Sequence, residues 1–268
     1  MRLTPEALAA LAPVFTALAV LLTAGVAALI HLAARHPVPD LPWRPLLAAR
    51  ALASPWRGRD LIPLLLPVAA AIAGRRFLPN TAAWDLLAVQ GVLTLAILWR
   101  ARGKVRPFGI AAGRAGPGET VLRWLAILPV LWFAAFVWQF ILHAAGHETA
   151  LQPAVELFLA TRDPLIRALF FGFAVVLAPF TEEVVFRGLL LPLLVRRGGP
   201  AVGLLATAVF FGAVHGDLGT FPALAVFSVA LSLAYARTGT LWVPMGMHAL
   251  FNAASMSLML VLHRAGVV

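Results

Sequence analysis

Eight runs of apolar residues, several long enough to cross a bilayer, occupy most of this chain of 268 residues. They cover 8–34, 61–77, 84–99, 121–144, 165–195, 201–215, 221–236 and 241–262. A helix of about 20 such residues spans the hydrocarbon core of a membrane. Inside lipid, only helices and closed barrels satisfy their own backbone hydrogen bonds. The runs are continuous rather than alternating, which selects helices. The expected fold class is therefore all-α, a polytopic transmembrane bundle of about eight helices. Composition points the same way, with 62% hydrophobic and 12% charged residues, against about 25% charged in soluble domains. No repeat or low-complexity tract divides the chain, so residues 1–268 read as a single membrane-embedded domain. The first run exceeds the roughly 7–15 apolar residues of a signal-peptide core, and so reads as a retained helix.

The net charge of +10 comes from basic residues placed between apolar runs. They form no basic face interleaved with aromatics, so the expected partner is the lipid bilayer and not nucleic acid. Alternate loops separate by charge, with Arg35, Arg44, Arg50, Arg57, Arg59, Arg100, Arg102, Lys104, Arg106, Arg114, Arg123, Arg187, Arg196, Arg197 and Arg237 on one side. Arg2, Arg75, Arg76, Arg162, Arg167 and Arg264 fall on the other. Basic loops stay cytoplasmic, which places both termini outside. The short polar segment after Ala144 predicts an interfacial helix beginning near Pro153. The absence of cysteine excludes a thiol nucleophile and cysteine-ligated metal.

Within the fifth run stands Thr181-Glu182-Glu183-Val184-Val185-Phe186-Arg187. A charged residue at the centre of a membrane helix costs about 2.5–3.5 kcal/mol, so such groups are paired or used. Glu183 and Arg187 are four apart, the spacing of a helical ion pair. Glu182 points about 100° away and is left for another task. Pro179 removes a backbone hydrogen bond one turn earlier and predicts a kink beside the glutamates.

His215 ends the sixth run, and His248 and Asn252 share a helix face in the eighth. Glu182 lies 16 residues before Gly198 and His215 17 after it, so a reversal at Gly198-Gly199 sets the two nearly level. A carboxylate, two histidines and an amide in one low-dielectric site suit hydrolysis without a covalent nucleophile. Glu182 would take a proton from water, helped by His215, while His248 and Asn252 donate to an oxyanion.

Glu182-Glu183-x-x-x-Arg187, Phe211-x-x-x-His215 and His248-x-x-x-Asn252, in this order on successive apolar runs, resemble the three motifs of the CAAX prenyl protease type II and bacteriocin-processing (CPBP, or Abi) family of intramembrane proteases. The resemblance covers about 165–262, the expected catalytic core. It implies an intramembrane endopeptidase acting near the terminus of a membrane-associated protein or peptide. The implied catalytic residues are Glu182, His215, His248 and Asn252, supported by Glu183 and Arg187. No cofactor is implied by that mechanism. A divalent metal such as zinc stays open, with Glu182, His215 and His248 as its alternative ligands, although no His-Glu-x-x-His pair is present. High Ala, Leu, Arg and Gly usage suggests a high-GC bacterium and its inner membrane.

Other polar residues have plainer readings. His143 and His147 read as interfacial. Asp217 either orients His215 or faces water, and Gly212 with Gly216 suggests close helix packing. Two other functions fit intramembrane Glu and His residues: a proton-coupled transporter, which usually shows paired half-repeats absent here, and a non-catalytic scaffold.

Overall fold

A computed structural model describes residues 5–35, 42–60, 91, 92, 95, 99, 115–147 and 151–267. Helices α1 (Pro5–Arg35), α2 (Trp43–Ala53), α3 (Pro117–Ala144), α4 (Pro153–Ala160), α5 (Pro164–Gly172), α6 (Ala178–Glu183), α7 (Leu191–Val214), α8 (Phe221–Thr238) and α9 (Trp242–Arg264) follow in order. No strand occurs among the described residues. The protein is an all-α, multi-pass membrane protein. The second expected run, and all but isolated positions of the third, lie outside the described residues.

Five helical stretches among the described residues are long and apolar enough to cross a membrane: Leu11–Arg35, Pro117–Ala144, Pro164–Val214, Phe221–Thr238 and Trp242–Arg264. Their outer faces are apolar. On α3, Phe133, Phe136 and Phe140 are 70%, 70% and 67% exposed, a stripe that a lipid environment covers at no cost. Pro164–Val214 is a helical hairpin, because Gly199 leaves helical geometry at φ 80° and ψ 172°. Val195 and Gly203, on either side of that break, then lie in contact. The reversal expected at Gly198-Gly199 is therefore present.

The kink expected at Pro179 is not a sharp bend: the backbone stays helical there, and the turns on either side of it are widened. The chain winds with π-helical geometry over Phe173–Leu177 and again over Val184–Leu190, on both sides of α6. Such bulges absorb a residue that the α-helical ladder cannot bond. The proline-initiated α5 is capped by Asp163, whose Oδ1 accepts from the Leu165 and Ile166 amides at 2.8 and 3.1 Å.

One helix departs from the expectation. Residues 43–53 read in the sequence as part of a basic loop, yet they form α2, which lies across one end of the bundle. Leu47 and Ala51 bury into a cluster with Leu191, Val195, Tyr235 and Leu241. Arg50 Nε donates to Ala236 O at 3.3 Å, and Arg196 Nη1 donates to Ala51 O and Ser54 O at 2.9 and 3.1 Å. Charge that marks this end as basic thus also fastens α2 to two interhelical turns.

At the opposite end α4 begins at Pro153, as the segment's composition predicts. Phe158 and Leu159 bury there against Met256 of α9. His143 and His147 are exposed at that end, in keeping with an interfacial position.

Candidate active site

α6 and the widened turn after it carry Glu182, Glu183 and Arg187, and α9 carries His248 and Asn252. Glu183 and Arg187 are fully buried. Arg187 Nη1 donates to Glu183 Oε1 at 2.9 Å, which realises the expected ion pair. The same oxygen lies 2.9 Å from His248 Nδ1. A carboxylate beside a guanidinium is an acceptor, so His248 carries its proton on Nδ1. The ring's other nitrogen, Nε2, then faces Glu182 Oε2 at 3.9 Å.

Glu182 differs from its neighbour. Its side chain is a quarter exposed, yet Oε2 is buried with no hydrogen-bond partner among the described residues. A buried, unpartnered carboxylate oxygen costs free energy unless a solvent or substrate group completes it.

His215 stands at the C-terminal end of α7. Its Nδ1 is 2.7 Å from Phe211 O, and a carbonyl only accepts, so Nδ1 carries the proton and Nε2 is the acceptor. Among the described residues no hydrogen bond or ion pair joins His215 to Glu182. The Phe211 ring sits between the two histidines, with centroids 5.0 Å from His215 and 5.7 Å from His248. It also lies 4.7 Å below the Arg187 guanidinium carbon, a cation–π contact in a dry setting.

Asn252 shares its helix face with His248, but its Nδ2 donates to Ala174 O at 2.8 Å, within the first widened turn. One amide proton is therefore held by the backbone, and the second is available. Asp217 does not orient His215. Its Oδ1 accepts from Gly219 N at 2.8 Å and its Oδ2 from Thr220 Oγ1 at 2.7 Å, which closes the turn after α7. Gly212 packs closely on Phe221, as expected of a small residue, whereas Gly216 is a turn residue with φ 66° and open space around it.

Sequence reasoning misses two partners. Ser228 of α8 accepts from Arg187 Nη2 through both its carbonyl and its hydroxyl oxygen, at 3.0 and 2.8 Å. Phe211 is wholly buried at the centre of the site. The signal for Ser228 is a hydroxyl pair, Ser228 and Ser232, inside an apolar run. For Phe211 there is only its place in the motif.

A catalytic zinc site uses about three protein ligands at 2.0–2.2 Å. Here Glu182 Oε2 and His248 Nε2 face one another as two donors, while Glu183 Oε1 is taken by Arg187 and His248. Among the described residues no three His, Asp or Glu side chains gather as a ligand set.

The fold and the site together define a multi-pass helical membrane protein with a buried Glu–His–Arg constellation. Residues 164–254 match the family model described as type II CAAX prenyl endopeptidase Rce1-like. That match supports, over this segment, the resemblance to the CAAX prenyl protease type II and bacteriocin-processing family that the three motifs carry. A curated relative, "Putative membrane peptidase YdiL" of Bacillus subtilis (strain 168), is 30% identical over 77 residues, 29% of this chain. The match spans 32% of that relative's length. No solved structure matches the chain significantly.

Proposed function

We propose that the protein is an intramembrane endopeptidase of the bacterial inner membrane. It hydrolyses a peptide bond near the terminus of a membrane-associated protein or peptide, by water activated between Glu182 and the histidines. The observation that carries this reading is the unpartnered, buried Glu182 Oε2 facing His248 Nε2 at 3.9 Å. A water between them bonds both.

Glu182 takes one proton from this water while its oxygen attacks the scissile carbonyl carbon. His215 supports the water through Nε2, whose lone pair the Nδ1 bond to Phe211 leaves free. The carbonyl oxygen becomes an oxyanion, received by the second amide proton of Asn252 and by His248. Donation from His248 Nε2 requires a ring protonated on both nitrogens, with Glu183 Oε1 accepting from Nδ1. Collapse of the tetrahedral intermediate breaks the C–N bond, and the proton on Glu182 passes to the leaving amine. Glu183 and Arg187 do not touch the reacting atoms in this scheme. They fix the tautomer and angle of His248. No metal takes part.

The matched family segment and the curated relative's name support a peptidase in general. The substrate test is comparative membrane proteomics of cells expressing either the wild type or Glu182→Gln. Proteins whose termini stay unprocessed only in the variant support the proposal. Identical termini in both, with proton-dependent uptake by the purified protein, support a transporter instead.

A further inference from the structure

The widened turn of Phe173–Leu177 leaves one carbonyl without a backbone donor. In this turn the Ala178 amide donates to Phe173 O, five residues back. The next carbonyl in the same register is that of Ala174, and its donor would be the amide of residue 179. Residue 179 is proline and has no N–H. A half-buried carbonyl left unbonded within a membrane-spanning helix is costly, so the position draws a donor from elsewhere. Asn252 Nδ2 fills it at 2.8 Å from α9.

We propose that Pro179 is a positioning residue for Asn252: by denying Ala174 O a backbone donor, it anchors one amide proton of Asn252 and so aims the other at the site. The function of the aimed proton rests on the endopeptidase reading above; the latch itself does not. The geometry joins three elements. α6 carries Pro179 three residues before Glu182, the widened turn carries Ala174, and α9 carries Asn252 one turn beyond His248. A single proline thereby couples the helix of the proposed base to the helix of the proposed oxyanion donors. Pro→Ala inside a helix ordinarily stabilises or leaves stability unchanged, because it restores a hydrogen bond. Here the restored N–H competes with Asn252 for Ala174 O. The side chain is released into several rotamers.

Two experiments test the latch. In a double-mutant cycle on purified protein, Asn252→Ala in the wild-type background should lower Tm by about 2–4 °C or more, since it orphans the carbonyl. In the Pro179→Ala background the same change should have little effect, because the substituted residue supplies the missing backbone donor. Equal Tm losses in both backgrounds overturn the latch, whatever the activity. With a cleavable peptide, Pro179→Ala should retain Tm and KM and lose about 10- to 100-fold in kcat, the cost of a misplaced catalytic group. Full kcat in a folded Pro179→Ala protein overturns the positioning role. A wild type that shows stability coupling but cleaves nothing removes the endopeptidase reading and leaves the latch intact.

Discussion

His248 Nδ1 lies 2.9 Å from Glu183 Oε1, an oxygen that also receives Arg187 Nη1 at 2.9 Å. One buried carboxylate oxygen therefore serves two helices. Removing it strands a guanidinium and frees an imidazole at once. Glu183→Ala should cost about 3–5 kcal/mol of stability, the range for breaking a buried pair, and should cut turnover as well. Thermal unfolding of the purified variant checks this, and an unchanged Tm would show that the pair is not formed.

Ser228 is the other anchor of Arg187. Ser228→Ala removes the 2.8 Å bond to Oγ and keeps the 3.0 Å bond to the carbonyl. The expected loss is about 1.5–3 kcal/mol, as for a hydrogen bond to a charged group. Threonine at this position should recover part of it. Stability measured for both variants decides; equal loss with alanine and threonine would mean that the hydroxyl contributes nothing.

Asn252→Ala should reduce turnover by a factor equivalent to about 2.7–4 kcal/mol, mostly in kcat, if the amide receives the oxyanion. Chelators and added zinc should leave the wild type unaffected. Steady-state kinetics with and without chelator read both. A stoichiometric metal that copurifies, with activity lost on its removal and restored on its return, would recast Glu182, His215 and His248 as ligands.

α3 offers a test of orientation, because its two ends lie at opposite faces of the bundle. Glu119 and Arg123 pair near the basic end, and Trp138 Nε1 donates to Leu218 O at the other. A reporter inserted at Gly116 should read cytoplasmic and one at His147 exterior. The reverse pattern would overturn the orientation drawn from basic loops.

The helices, their reversal at Gly199 and the Glu183–Arg187 pair are legible in the sequence because they follow from hydropathy, glycine and a four-residue spacing, all local in the chain. The four site residues are legible as outliers, since polar groups in apolar runs carry a cost that must be offset. What stays hidden is what passes between helices. The 3.9 Å meeting of Glu182 and His248, and the hold of Ser228 on Arg187, depend on helix rotation that no periodicity encodes. In the sequence Asn252 reads as an oxyanion donor, and nothing local shows that Ala174 O takes one of its amide protons. α2 is hidden for another reason. Its arginines read as a loop signal, while Arg50 donates to the carbonyl of Ala236 near a distant turn and the Ala51 carbonyl serves Arg196.

Glu182→Gln tests the central claim most directly. The amide is nearly isosteric with the carboxylate and cannot accept the proton of water. Purified wild type and variant, shown to have the same Tm, are compared for cleavage of a membrane-anchored peptide. The account predicts hydrolysis by the wild type and its loss in the variant. Near-normal turnover by a folded Glu182→Gln protein would contradict it.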